Sequence, residues 1–151
     1  MIDLQSYLKN GLLKKQHPNF KQISKQVIRA EKDLETFKLV VDKDPEWAST
    51  IAYQAMLRVG RALLFSLGYL PADGQQHRTV VEITGKVLGK QFSTLIKQFD
   101  KLRKKRNVFF YESENSYNFT ESKKAIITAK ELLKEIKKKI KKLNPQQGFD
   151  F

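Results

Sequence analysis

Apolar residues recur along this chain at intervals of three and four. Ile23, Val27, Ala30, Leu34, Phe37 and Val41 form one series. Leu88, Phe92, Leu95, Phe99 and Leu102 form a second, and Ile126, Ala129, Leu133, Ile136, Ile140 and Leu143 a third. That spacing lines one face of an α-helix, so each series predicts an amphipathic helix with a single buried stripe. Residues 45–67 differ. Trp47, Ile51, Ala52, Ala55, Met56, Val59, Ala62, Leu63, Leu64 and Phe65 spread round much of the circumference. A helix that apolar is expected to be central, with neighbours on several sides. No segment alternates with the period of a strand worth assigning, and no internal repeat is found.

Chain breakers set the boundaries. His17-Pro18-Asn19 interrupts the chain early, and Asp44-Pro45 offers an N-cap followed by proline at the first helical position. Residues 68–74, GYLPADG, read as a loop, and Asn144-Pro145 ends the last helix. The expected elements are a short helix over 2–13 and long helices near 22–42, 46–67, 89–110 and 121–143. A shorter helix near 78–87 is either separate from the next or continuous with it. Short loops make neighbours antiparallel, so the expected fold is all-α, an antiparallel up-and-down bundle of four to five main helices. Residues 1–20 are expected to be an N-terminal helix and connector, 21–143 the helical bundle, and 144–151 a flexible tail.

Composition narrows the function classes. The 151 residues include no cysteine, which excludes a disulfide framework, a thiolate metal site and a cysteine nucleophile. No apolar run approaches the roughly 20 residues that span a bilayer. The first residues lack a basic segment followed by an apolar one, so a cytoplasmic location is expected. Lys and Arg number 29 against 16 Asp and Glu, a formal charge of +13. That excess on a small domain points to a polyanionic partner such as RNA, DNA or a nucleotide. The glycines form neither a dinucleotide fingerprint nor a phosphate-binding loop, and no nucleophile elbow is present. Only His17 and His77 could serve as imidazole ligands, and their spacing builds no metal site. No cofactor is expected.

Charge is densest at residues 97–106, where six of ten side chains are basic. Lys101, Arg103, Lys104 and Lys105 are candidate nucleic-acid contacts. Extending the stripe Leu95, Phe99, Leu102 by four and three places Arg106 and Phe109 on the buried face. A guanidinium there needs partners. Arg103 and Arg106 lie one turn apart and can converge on one anion. The alternative for Arg106 is a helix-end side chain that snorkels or pairs with a carboxylate. Arg58 and Arg61, one turn apart in the most apolar helix, read either as ion pairs with Glu31, Glu35 or Glu82 or as added positive potential beside Arg106. Residues 121–143 carry nine lysines, read singly as a solvated face and together as attraction for a phosphate backbone.

The run Leu102-Arg-Lys-Lys-Arg-Asn-Val-Phe-Phe-Tyr111 resembles the signature helix end of the HEPN domain family, small all-α bundles. Residues 52–71 are similar to that family's central helix and following loop, and residues 77–82 to the segment after it. The resemblance spans roughly residues 22–143. The family motif is an Arg, often followed by a polar residue such as Asn, with a His four to six residues on. Arg106-Asn107 matches its first half, and Tyr111 stands where the His would fall. Glu112, Ser113 and Glu114 supply no His either. The resemblance implies a homodimer and a partner with a nucleotidyltransferase fold, paired as toxin and antitoxin or in defence. In catalytic members it implies metal-independent RNA cleavage, with weak or absent activity here because a phenol titrates near 10 and an imidazole near 6.5. The candidate site is therefore Arg106, Asn107 and Tyr111. His77 either joins it in place of the motif His or packs locally at a helix start. The alternative function is a non-catalytic helical module for dimerisation or adaptor contacts.

Overall fold

The computed structural model describes residues 2–72, 76–111 and 118–151. Six α-helices and one pair of three-residue strands are found among them, in the order α1 (Gln5–Lys9), β1 (Leu13–Lys15), α2 (Phe20–Val40), α3 (Pro45–Ser66), β2 (Tyr69–Pro71), α4 (Gln76–Leu88), α5 (Ser93–Tyr111) and α6 (Phe119–Leu143). A 3-10 turn at Lys90–Phe92 separates α4 from α5. The all-α bundle is as expected. The N-terminal prediction is corrected: the helix covers only Gln5–Lys9, and Leu13–Lys15 pairs antiparallel with Tyr69–Pro71. Part of the predicted loop over 68–74 is thus strand, and its residues 73 and 74 lie outside the described residues, as do Glu112, Ser113 and Glu114.

Side-chain caps fix three helix starts. Asn19 accepts from the Gln22 N–H, Asp44 from Trp47 and Asn118 from Glu121, each satisfying a donor that the first turn leaves open. Pro45 sits at the start of α3 with its preset φ. Gly89, at φ 96°, turns the chain out of α4.

Helix α3 is the centre and packs against α2, α4, α5 and α6. Thirteen of its residues are buried, on every side of the helix. Tyr53 and Phe99 are the largest fully enclosed side chains, each contributing about 2–3 kcal/mol of apolar burial. The expected stripes bury their cores: Ile23, Val27, Ala30, Leu34 and Phe37 on α2, then Leu95, Phe99 and Leu102 on α5. On α6 the buried face is rotated slightly, to Ala125, Ala129, Leu132, Leu133, Ile136 and Ile140, with Leu143 exposed. Residues after Asn144 have no regular structure, but Phe149 meets Phe20 edge to face and Phe151 stacks beside it, both packed on the core. No helix among the described residues is long and apolar enough to cross a membrane.

Two contacts hold the neighbours of α3 in register. Asp33, only 5% exposed, accepts from Arg58 Nε at 2.8 Å and pairs with Arg29 at 3.3 Å. Gly60 lets α4 approach closely: a Cβ there would lie 2.6 Å from Val80 Cγ1 and 3.1 Å from Thr84 Oγ1.

Replacing Gly60 by Ala is expected to lower stability by about 1–2 kcal/mol, because the stiff Val80 must move and the gain in helix propensity is only about 1 kcal/mol. Urea unfolding checks this, and adding Val80→Ala should recover less than the sum of the two losses. Asp33→Ala should cost about 2–4 kcal/mol in the same assay, since it strands Arg58 at a helix interface.

Candidate arginine and histidine site

Helix α5 presents its charges on three sides. Phe99 and Leu102 point into the core. Lys101, Arg103 and Lys104 line a surface groove of about 720 Å³ between α4 and α5, together with Arg78 and Lys97. Two carboxylates, Glu82 and Asp100, share that groove. Asp100 accepts from Arg103 Nε at 2.8 Å and lies 3.2 Å from Lys104 Nζ. Burial alone would raise the Asp100 carboxyl, but the hydrogen bonds from Arg103 and Lys104 prevail and hold it below its ordinary value. Lys105 lies on the other side of the helix, paired with Glu121 of α6. The structure thus groups Lys101, Arg103 and Lys104 and directs Lys105 towards α6.

Arg106 is half-buried and makes no ion pair among the described residues. Its guanidinium lies over the Phe110 ring, 4.6 Å from the centroid. Phe110 is held edge to face by Trp47 of α3, which also contacts Phe109. A guanidinium stacked this way keeps its in-plane N–H groups free for another acceptor. Asn107 and Tyr111 point to solvent, with Tyr111 78% exposed. Neither side chain makes a hydrogen bond to a described residue.

His77 stands in the first turn of α4 and is half-buried. Its Nδ1 shares a 3.0 Å hydrogen bond with the hydroxyl of Tyr53, which α3 encloses at 1% exposure. Burial pushes the His77 imidazole below its ordinary value, and repulsion from Arg106, Arg61 and Arg103 pushes it the same way. Burial raises the Tyr53 phenol well above its ordinary value, against the pull of the same three arginines. Tyr53 therefore keeps its proton, and His77 is uncharged at neutral pH. Arg61 completes the group: its Nη2 donates to Gln76 Oε1 at 3.0 Å, while its Nε is buried without a partner. Burial pulls the Arg61 guanidinium below its ordinary value.

The arrangement therefore gathers Arg61, Arg103, Arg106, Tyr53 and His77 from α3, α4 and α5. Tyr53 and the Arg61–Gln76 contact were not singled out by sequence. The only signal was two arginines in an otherwise apolar helix. Their partners differ from those expected: Arg58 meets Asp33 and Arg61 meets Gln76, not Glu31, Glu35 or Glu82. Glu31 instead pairs with Lys137 of α6, and Glu82 accepts from Tyr7 and Arg78.

The family model described as HEPN domain matches residues 23–140, most of the chain. The chain belongs to the HEPN domain family. The match begins in α2 and ends in α6, so every element of this HEPN bundle that carries the arginine and histidine group lies inside it. No curated protein and no solved structure matches the chain. Within the HEPN domain, Arg106-Asn107 sits near the end of α5 and Tyr111 closes that helix.

A pH dependence follows from His77. The unfolded chain takes up this proton near pH 6.5, and the folded chain only at lower pH. Stability from the neutral imidazole is thus fully present above about pH 6.5 and lost as pH falls through the folded value. Urea midpoints of the wild type should fall between pH 7.5 and 5, and His77→Gln should flatten that slope. An unchanged slope in the variant would assign it to other groups.

Proposed function

We propose that this HEPN domain binds RNA or a nucleotide, with Arg106, Arg103 and Arg61 as the phosphate site and His77 as the group that moves protons there. One observation carries the reading. Three arginines, Arg106, Arg61 and Arg103, act electrostatically on the half-buried His77 imidazole, and two of them, Arg61 and Arg106, have no carboxylate partner among the described residues. Uncompensated guanidinium groups bind phosphate oxygens through charge-assisted hydrogen bonds. Lys101, Arg103 and Lys104 extend positive potential along the groove between α4 and α5. Asn107 and Tyr111 flank the site from the exposed end of α5, where Tyr111 can stack a base.

A depressed imidazole can accept a proton at neutral pH. In a cleavage reaction it would take the proton of the RNA 2′-hydroxyl as that oxygen attacks the adjacent phosphorus. A cyclic phosphate forms as the bond from phosphorus to the 5′-oxygen breaks, that oxygen takes a proton from water, the imidazolium returns its own to solvent, and the arginines hold the charge that develops on phosphate. No metal enters this scheme. Weak cleavage of this kind, in a homodimer that acts as the toxin-type member of a nucleotidyltransferase and HEPN pair in the cytoplasm, is the fullest form of the proposal.

The exposed aromatic cluster favours a second reading. Trp47 is 47% exposed and Phe110 44%, side by side at the end of α5. Such a surface also suits a non-catalytic module for dimerisation or adaptor contacts.

Labelled single-stranded RNA separates the two. Binding should weaken steeply with salt, with a log–log slope of about −0.7 per phosphate contacted. Arg106→Ala should weaken it by about tenfold and remove about one unit of contact from the slope. Trp47, the only tryptophan, should report binding by a change in emission. Absence of binding at low salt would overturn the RNA reading in favour of the interaction module. Cleavage that survives both Arg106→Ala and His77→Ala would remove these residues from catalysis.

A further inference from the structure

A second groove, of about 630 Å³, lies between α2, α3 and β2. Its size falls in the range of about 300–1,000 Å³ typical of small-ligand sites. Four of the chain's eleven glutamines, Gln16, Gln22, Gln26 and Gln54, line it. None of their side-chain amides bonds to another described residue. The floor is apolar, made by Ala62, Phe65 and Leu70, and the cations Lys25, Arg58 and Arg61 stand at the wall.

The pattern is built by helix periodicity. Gln54, Arg58, Arg61 and Phe65 step by four, three and four along α3, and Gln22, Lys25 and Gln26 form one turn of α2. The absence of acid sets the groove apart. The basic groove between α2 and α6 includes Glu31 and Glu35, that between α4 and α5 includes Glu82 and Asp100, and that between α5 and α6 includes Glu121. No carboxylate lines the glutamine groove; Asp33 pairs with Arg58 from outside the lining, and Arg61 there has no acid partner among the described residues.

Each amide offers a donor pair and an acceptor in one plane, which is the chemistry that reads the edge of a nucleobase. An apolar lining that includes an aromatic ring, Phe65, suits the face of the same base. Arg61 belongs both to this groove and to the arginine and histidine group, through its bond to Gln76 beside His77. We propose that the glutamine groove is a nucleobase subsite, with Gln22, Gln26 and Gln54 reading the base edge, Phe65 beneath the ring and Arg61 holding the linking phosphate. This deepens the nucleic-acid reading above and rests on it for the RNA-bound case. The shared chemistry is a nucleobase, whether in a strand or in a free nucleotide.

The test uses the full ¹⁵N-labelled chain. Each of the four ribonucleoside 5′-monophosphates is titrated in turn, with inorganic phosphate as control. The side-chain amide signals of Gln22, Gln26 and Gln54 should move saturably with at least one nucleotide and stay in place with phosphate. Gln26→Ala with Gln54→Ala, both changes on the groove wall, should weaken that nucleotide by about tenfold with the helical spectrum unchanged. In a second arm, homopolymer RNAs of the four bases should bind the wild type with different affinities. The double variant should narrow that spread, and Arg106→Ala should weaken all four alike. Amide signals that ignore every nucleotide, or that move equally with phosphate, overturn the proposal. So does a double variant of unchanged affinity. Nucleotide binding without RNA binding would sink the RNA reading while assigning the groove to free nucleotides. RNA binding with silent glutamines would do the reverse.

Discussion

Everything in this fold depends on enclosing one helix. Helix α3 has neighbours on four sides, so its residues must be small or apolar almost everywhere. Ala48, Ala52, Ala55 and Ala62 let backbones approach, and Gly60 brings α4 closer than a Cβ would allow. A polar side chain that such a helix buries at an interface needs a partner there. Tyr53, Arg58 and Arg61 reach one on a neighbouring helix. Tyr53 finds His77, Arg58 finds Asp33 and Arg61 finds Gln76. The candidate site is thus a by-product of the burial of α3, with its polar seam opening towards α2 on one side and towards α4 and α5 on the other.

The helices were legible in sequence because their apolar period is long and regular. Each of the series on α2, α5 and α6 gives enough positions for the period of 3.6 to dominate. The two strands were not, because three residues give no period to read, and their pairing joins Leu13 to Pro71 across the whole of α2 and α3. The site was legible only in part. Arg106 announced itself by interrupting an apolar stripe, and Arg103 by lying one turn from it. His77 was a candidate from sequence, but its partner was not, because Tyr53 lies 24 residues away on a helix whose apolar majority hid one hydroxyl. Asp33 could have been found: it adjoins Leu34 on the face that α2 buries, whereas the glutamates first considered for Arg58 and Arg61 lie off that face or on α4. Nothing in the sequence pattern foretold that the glutamines of α2 and α3 would meet in one groove.

The chain's net charge means something different once its ion pairs are placed. Arg58, Arg103, Lys104, Lys105 and Lys137 each have a carboxylate within reach. At the surface such pairs contribute little to stability, about 0–1 kcal/mol each, but they do cancel local potential. The positive potential that remains is therefore uneven. It concentrates where no acid stands opposite a cation, and Arg61 and Arg106 are two such places, both of which act on His77.

Arg106 illustrates why that distinction decides function more than the count of lysines does. An exposed lysine is a hydrated point charge on a flexible stem, and holding it against a phosphate costs side-chain entropy. Arg106 is already ordered on the face of Phe110, which Trp47 braces from α3. The guanidinium carbon lies over the Phe110 ring, and no carboxylate among the described residues takes up its N–H groups. The residues that fix this geometry lie at the start of α3 and the end of α5, where Trp47, Phe109 and Phe110 stand partly in solvent. Their exposure becomes intelligible if their task is to hold a cation ready. The depressed basicity of His77 comes first from its burial, and the arginines of the proposed phosphate site push it the same way.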